Sequence, residues 1–175
     1  AKAAREAGKT AAQHKGKRLA ELSLADATAA GLKGKGNLKL GQKLYTQQGC
    51  VACHSIDLSA EQKGPYLGSA GAKFSREYLV ESVLQPHKVV AQGFQTIIYQ
   101  MKDDSQQMGF VTGEADGVVT LRNIAGQVTK LKRADIRNER RDTKSMMPEG
   151  LAAGLNAEEF SAMIDYLASL KAIGG

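Results

Sequence analysis

Tryptophan is absent from this 175-residue chain, and aromatic side chains make up only 5% of it. A chain of this length can bury a real core. So few aromatics leave room for a large flat cofactor to supply core area that side chains do not. Long apolar runs are also missing. No stretch approaches the roughly 18 residues of a membrane-spanning helix, which excludes a helical span. No secretory leader opens the chain. It begins at "AKAAREAGK" and reads as a mature or excised piece of something longer. Histidine is scarce, at three residues, and cysteine scarcer, at two.

Both cysteines sit in one place. Residues 50 to 54 read "CVACH", with Cys50 and Cys53 three positions apart and His54 directly behind them. Apart from chance, three kinds of chemistry place thiols this way. Zinc needs four protein ligands in a structural site, or three and a water in a catalytic one. Only His14 and His87 remain as nitrogen donors, and neither has ligand spacing to the pair. A carboxylate would have to complete such a site. A redox dithiol should follow a strand and open a helix, but the preceding "NLKLGQKLYTQQG" reads as helix. Covalent haem attachment suits every position. Two thiols add across the two vinyl groups of one porphyrin edge, two residues span that edge, and the next residue presents an imidazole to iron.

Acidic charge is in deficit. The formal net charge is +6, with basic stretches at "HKGKR" and "KGKGNLK" early and "KLKR" to "RNERR" late. No nucleic-acid-binding motif accompanies them. A solvated face balancing two haem propionates accounts for this charge, and steering of an acidic partner is the functional alternative.

The chain divides into an N-terminal helical extension or linker, residues 1–36, and a main domain, residues 37–175. The extension is Ala- and Lys-rich, and "AREAGKTAAQHKGKRLAEL" reads as one or two short helices with too few large apolar residues for a core of its own, so it packs on the main body or is a linker. Asn37 reads as the N-cap of a helix bearing Leu40, Leu44 and Tyr45 on one stripe, ended by Gly49. Gly41 in that helix costs about 1 kcal/mol relative to alanine, a cost offset by close approach of another helix. In "LNAEEFSAMIDYLASL", Asn156 and Glu159 form a capping box, Leu155 and Phe160 a hydrophobic staple, and the apolar residues recur at helical period. A third helix, "SREYLVESVL", has Ser75 as N-cap, Phe74 placed to staple onto Leu79, and Pro86 as its stop. From about residue 93 to 136 the period drops to 2. Four short strands joined by turns at Asp103-Asp104, Asp116-Gly117 and Ala125-Gly126 read as an antiparallel meander.

A six-coordinate iron needs a second axial ligand. Met163 falls on the apolar stripe of the last helix and Met101 and Met108 fall in strands, so all three read as packing residues. His87 reads as a surface histidine. "SMMPEG" is a loop stiffened by proline, and Met147 is its first candidate, ahead of Met146.

The pieces "GQKLY" before "CVACH", then "GPYLG", "MPEG" and a closing helix, resemble class I c-type cytochromes. More narrowly, the chain is similar to the Pirellula/Verrucomicrobium-type haem-binding domain, on pieces such as "GVVTLRNIAGQVTKLKRADI" and "SMMPEGLAAGLNAEEFSAMIDYL" that cover nearly all of residues 37–170. The resemblance implies a mainly α, class I cytochrome c-like fold around one covalent haem c, with the four-stranded meander inserted. It implies thioethers at Cys50 and Cys53, iron ligation by His54 and Met147, a hydrogen bond from the other imidazole nitrogen to the Pro65 carbonyl, and a helix crossing at Gly41 and Tyr45. It also implies one-electron transfer rather than catalysis, in a periplasmic or extracellular setting. The expected partner is a dehydrogenase, an oxidase or a monooxygenase. A peroxidase-like enzyme, or a haem sensor with a labile sixth ligand, is the alternative.

Overall fold

The structure is a computed structural model that describes residues 16–34, 36–61 and 63–171. Of the segment predicted as one or two short helices, residues 4–15 lie outside the described residues, and the described remainder forms only a 3-10 turn, Leu19–Glu21. The chain forms two compact units. One takes the chain up to Val51, Leu67–Gln85 and everything from Glu149 onward. The other takes Ala52–Tyr66 and Pro86–Pro148.

The first unit is helical. Ser23 caps α1 (Leu24–Leu32) by accepting the Asp26 N–H. Asn37 caps α2 (Leu38–Gln47), its Oδ1 accepting from Leu40 N at 3.1 Å. A single turn, α3 (Ala70–Lys73), leads into α4 (Arg76–Leu84), which Ser75 caps and which ends one residue before Gln85. The last helix, α5 (Ala157–Ser169), carries the full capping box. Asn156 Oδ1 accepts from Glu158 and Glu159, and the Glu159 carboxylate accepts the Asn156 N–H. Each cap removes orphan donors at a helix start and is worth about 1 kcal/mol.

The core of this unit gathers around α5. Phe160, Met163 and Ile164 are sealed from solvent, with Leu44, Tyr45, Leu79, Val80 and Leu155 around them. Gly41 is where α2 crosses α5. A Cβ there would run into the Ala162 carbonyl oxygen and lie 2.6 Å from the Tyr166 Cβ, so the two backbones meet only because the side chain is absent. Phe74 does not fill the staple position predicted for it: its ring stacks on Tyr78 at 4.7 Å between centroids, and the residue is largely exposed.

Residues ahead of α2 join the same core. Leu19 is buried, its N–H donates to the Leu155 carbonyl at 2.8 Å, and a short 3-10 turn, Leu19–Glu21, precedes α1. A buried ion pair ties them further. Arg76 reaches Asp165 at 2.5 Å and the Gly31 carbonyl at 2.8 Å, while Asp165 accepts the Gly36 N–H at 3.0 Å.

The second unit holds a five-stranded antiparallel sheet in the order β4-β3-β2-β1-β5. The strands are β1 (Ile97–Met101), β2 (Gln106–Ala115), β3 (Val118–Arg122), β4 (Val128–Lys132) and β5 (Ile136–Arg141). The β2–β3 turn places both Asp116 and Gly117 at positive φ, 51° and 71°, the signature of a type I′ hairpin. Tyr99, Met101, Val119, Leu121 and Leu131 form a small separate core. A 3-10 turn, Arg133–Asp135, carries the chain from β4 to β5 on the far side of β1.

Two expectations are corrected here. The chain is a mixed α/β structure rather than mainly α, with five α-helices and a five-stranded sheet among the described residues. The meander is not four strands ending near residue 136. "IRNERR" forms a fifth strand, held by backbone pairing to β1 and by ion pairs from Arg133 to Glu114 and Glu139. It lacks apolar alternation because all its residues but Ile136 are exposed.

Candidate haem site

Helix α2 ends at Gln47 with Gln48 as its C-cap, and Gly49 at φ +77° turns the chain into a 3-10 turn, Cys50–Ala52. Cys50 and Cys53 are both half-buried thiols, and neither is in a disulfide. The chain passes from the helical unit to the sheet unit within this motif, after Val51. Burial raises the Tyr45 hydroxyl well above the usual phenol range, with smaller contributions from Cys50 and Tyr166, so Tyr45 stays neutral beside the first thiol.

His54 is held from behind. Its Nδ1 lies 2.8 Å from the Pro65 carbonyl oxygen. A carbonyl only accepts, so Nδ1 carries the proton and Nε2 is the nitrogen with the lone pair. Burial pushes the His54 pKa below the ordinary histidine value, with the Pro65 bond acting in the opposite direction. The neutral imidazole, with Nε2 as its basic atom, is the form that ligates iron. Gly64 packs against the motif: a Cβ there would meet the Cys53 carbonyl at 3.2 Å and the His54 Cε1 at 3.4 Å.

Met147 lies in the loop after β5, in the same compact unit as His54 and Pro65. Met146 and Met147 are both half-buried. The Met147 N–H donates to the Ser145 Oγ at 3.1 Å, and the Ser145 N–H donates to the His87 Nδ1 at 3.2 Å. His87 is therefore a half-buried prop for this loop rather than a surface histidine. Nothing in "QPHKVV" signals that role, because the contact joins positions 58 apart in the chain. Met163 is sealed in the helical core and Met101 in the sheet core. Met108, expected to pack, is 53% exposed. His14 lies outside the described residues.

Among the described residues, no group of three or more His, Cys, Asp or Glu is placed to hold a metal ion, so a zinc reading finds no ligand set there. A helix and a 3-10 turn surround the thiols, not the strand-to-helix junction of a thioredoxin-like dithiol. Two thiols outside any disulfide, with an oriented imidazole behind them, have the donor chemistry of covalent haem attachment.

The comparisons point to the same class. The sequence matches the family described as cytochrome c over residues 38–120, a stretch that includes α2, the CVACH motif and Pro65 but stops before Met147 and α5. The match supports a c-type cytochrome. Proteins of that family bind haem c covalently, with its iron, and are mostly electron carriers. The cofactor identified by match and motif is one covalent haem c. No curated protein matches the chain. Among the described residues, no helix is long and apolar enough to cross a membrane.

Proposed function

We propose that this chain transfers single electrons through a haem c ligated by His54 and Met147, as a module of a larger protein that works in the periplasm or outside the cell. The observation that carries the reading is the 2.8 Å bond from His54 Nδ1 to the Pro65 carbonyl, on the residue directly after the two-cysteine motif. When bound, haem iron supplies the chemistry by cycling between its ferrous and ferric states. Cys50 and Cys53 would hold the haem covalently, each thiol S–H adding across one vinyl group to leave a thioether with no net oxidation. His54 offers Nε2 from a ring whose rotation and tautomer are set by Pro65. Met147 offers a thioether sulfur, which favours ferrous iron and raises the potential. His54 and Met147 would be the two residues that hold the iron through both oxidation states. The partner of this reading is a dehydrogenase, oxidase or monooxygenase.

Mature protein made with a haem-attachment system tests it. The expected result is a polypeptide heavier by one haem after denaturation, reversibly reducible, and slow to bind carbon monoxide when reduced. A mass equal to the bare chain would remove the haem reading. Fast carbon monoxide binding would favour a peroxidase-like or sensing role.

A further inference from the structure

The sheet and the residues flanking it anchor both of the loops that carry the proposed iron ligands. On the proximal side, Glu61 pairs with Arg122, the last residue of β3, at 3.0 Å. The Lys63 side chain lies over Gly126 in the β3–β4 turn, where a Cβ would come within 2.7 Å of its Cε. Gly64 and Pro65, which pack against His54, follow directly. On the distal side, the buried Thr96 precedes β1 and takes the chain after β5 in two places. Its carbonyl accepts the Asp142 N–H at 2.8 Å, and its Oγ1 donates to the Lys144 carbonyl at 3.3 Å. His87 then takes the next N–H, from Ser145, and the Ser145 hydroxyl takes that of Met147.

We propose that the sheet is a bracket holding both axial loops, and that His87 is the positioning residue of the distal one. The proposal rests on the reading of Met147 as iron ligand. Methionine has three rotatable side-chain bonds and no orienting charge. Its sulfur stays on a metal only if its backbone is held. Lys144, Ser145 and Met147 are each tied down by a named acceptor or donor, and His87 supplies the one between them. The buried Pro86 fixes φ ahead of that imidazole. Because His87 Nδ1 accepts a hydrogen bond, its proton sits on Nε2, and in that state the ring presents no lone pair to iron. His87 acts through Ser145 and is not itself a ligand.

The test uses the full haem-loaded chain and four variants. Met147→Ala is the reference. His87→Leu and Ser145→Ala each remove one acceptor. His87→Asn keeps an acceptor oxygen near the position of Nδ1. Three readouts are taken: the sulfur-to-iron charge-transfer band of the ferric protein, the rate of carbon monoxide binding to the ferrous protein, and amide exchange at Met147. Met147→Ala should abolish the band. His87→Leu and Ser145→Ala should raise the sulfur-detached population about fivefold, the effect of one lost hydrogen bond, with faster carbon monoxide binding and faster amide exchange. His87→Asn should recover most of the band. Unaltered bands in His87→Leu and Ser145→Ala, with the band gone in Met147→Ala, would overturn the positioning role and leave the ligand reading standing. A band that survives Met147→Ala would overturn both. If His87→Leu fails to fold, Ser145→Ala and His87→Asn decide the matter.

Discussion

The two units of this chain are stabilised in different ways. The helical unit has a large core of sealed apolar side chains, with one buried ion pair, Arg76–Asp165, at its edge. The sheet unit has a core of five buried residues and makes up the rest with specific polar links: Thr96 to Lys144, His87 to Ser145, Arg122 to Glu61, and Arg133 to Glu114 and Glu139. Apolar burial is non-directional and favours stability, whereas hydrogen bonds fix geometry at a modest net gain. Both proposed axial residues, His54 and Met147, lie in the unit rich in directional links. On the proposed reading of His54 and Met147 as iron ligands, ligand placement falls to the sheet unit and most of the apolar burial to the helical one.

Variants can break or sharpen that division. The largest effect is expected from Cys50→Ala with Cys53→Ala, which should abolish covalent haem altogether, read as loss of the haem mass from denatured protein. Next is Phe160→Ala in the helical core. It should cost about 3–5 kcal/mol in a denaturant melt while the folded fraction keeps its sulfur-to-iron band. Asp165→Ala should cost about 3 kcal/mol, since it leaves the Arg76 guanidinium without its main partner. Val119→Ala, in the sheet core, should cost only about 2 kcal/mol yet accelerate carbon monoxide binding, which neither helical variant should do. Arg122→Ala is the smallest. Its ion pair with the exposed Glu61 is worth under about 1 kcal/mol, so melts should barely change while exchange near His54 quickens. Helical variants that detach the sulfur as readily as sheet variants would erase the distinction.

Much of the helical unit was legible because its signals are local. Asn37, Ser75 and Asn156 announce helix starts within three residues, and Phe160, Met163, Ile164 and Leu167 repeat at helical period. The turn at Asp116-Gly117 was equally plain. The CVACH motif identified the cofactor chemistry for the same reason, since five consecutive residues carry it. The fifth strand was not legible. Ile136 is the only residue of "IRNERR" that reaches the core, so no alternation marks it, and pairing with β1 depends on a partner nearly 40 positions earlier. His87 was missed likewise, because a histidine beside a proline looks the same whether it faces water or props a loop. That the residues before α2 pack on the main body was one of two readings open from the sequence; which of them do so, Leu19 and α1, was not legible, because their partners, Phe160 and Leu155 among them, come from the far end of the chain.

Near-infrared magnetic circular dichroism of the ferric, haem-loaded chain tests the central claim most directly, because it distinguishes axial ligand pairs in a low-spin haem. The account predicts the histidine–methionine signature, lost in Met147→Ala and kept in Met146→Ala. A bis-histidine or high-spin signature in the unmutated protein would contradict it.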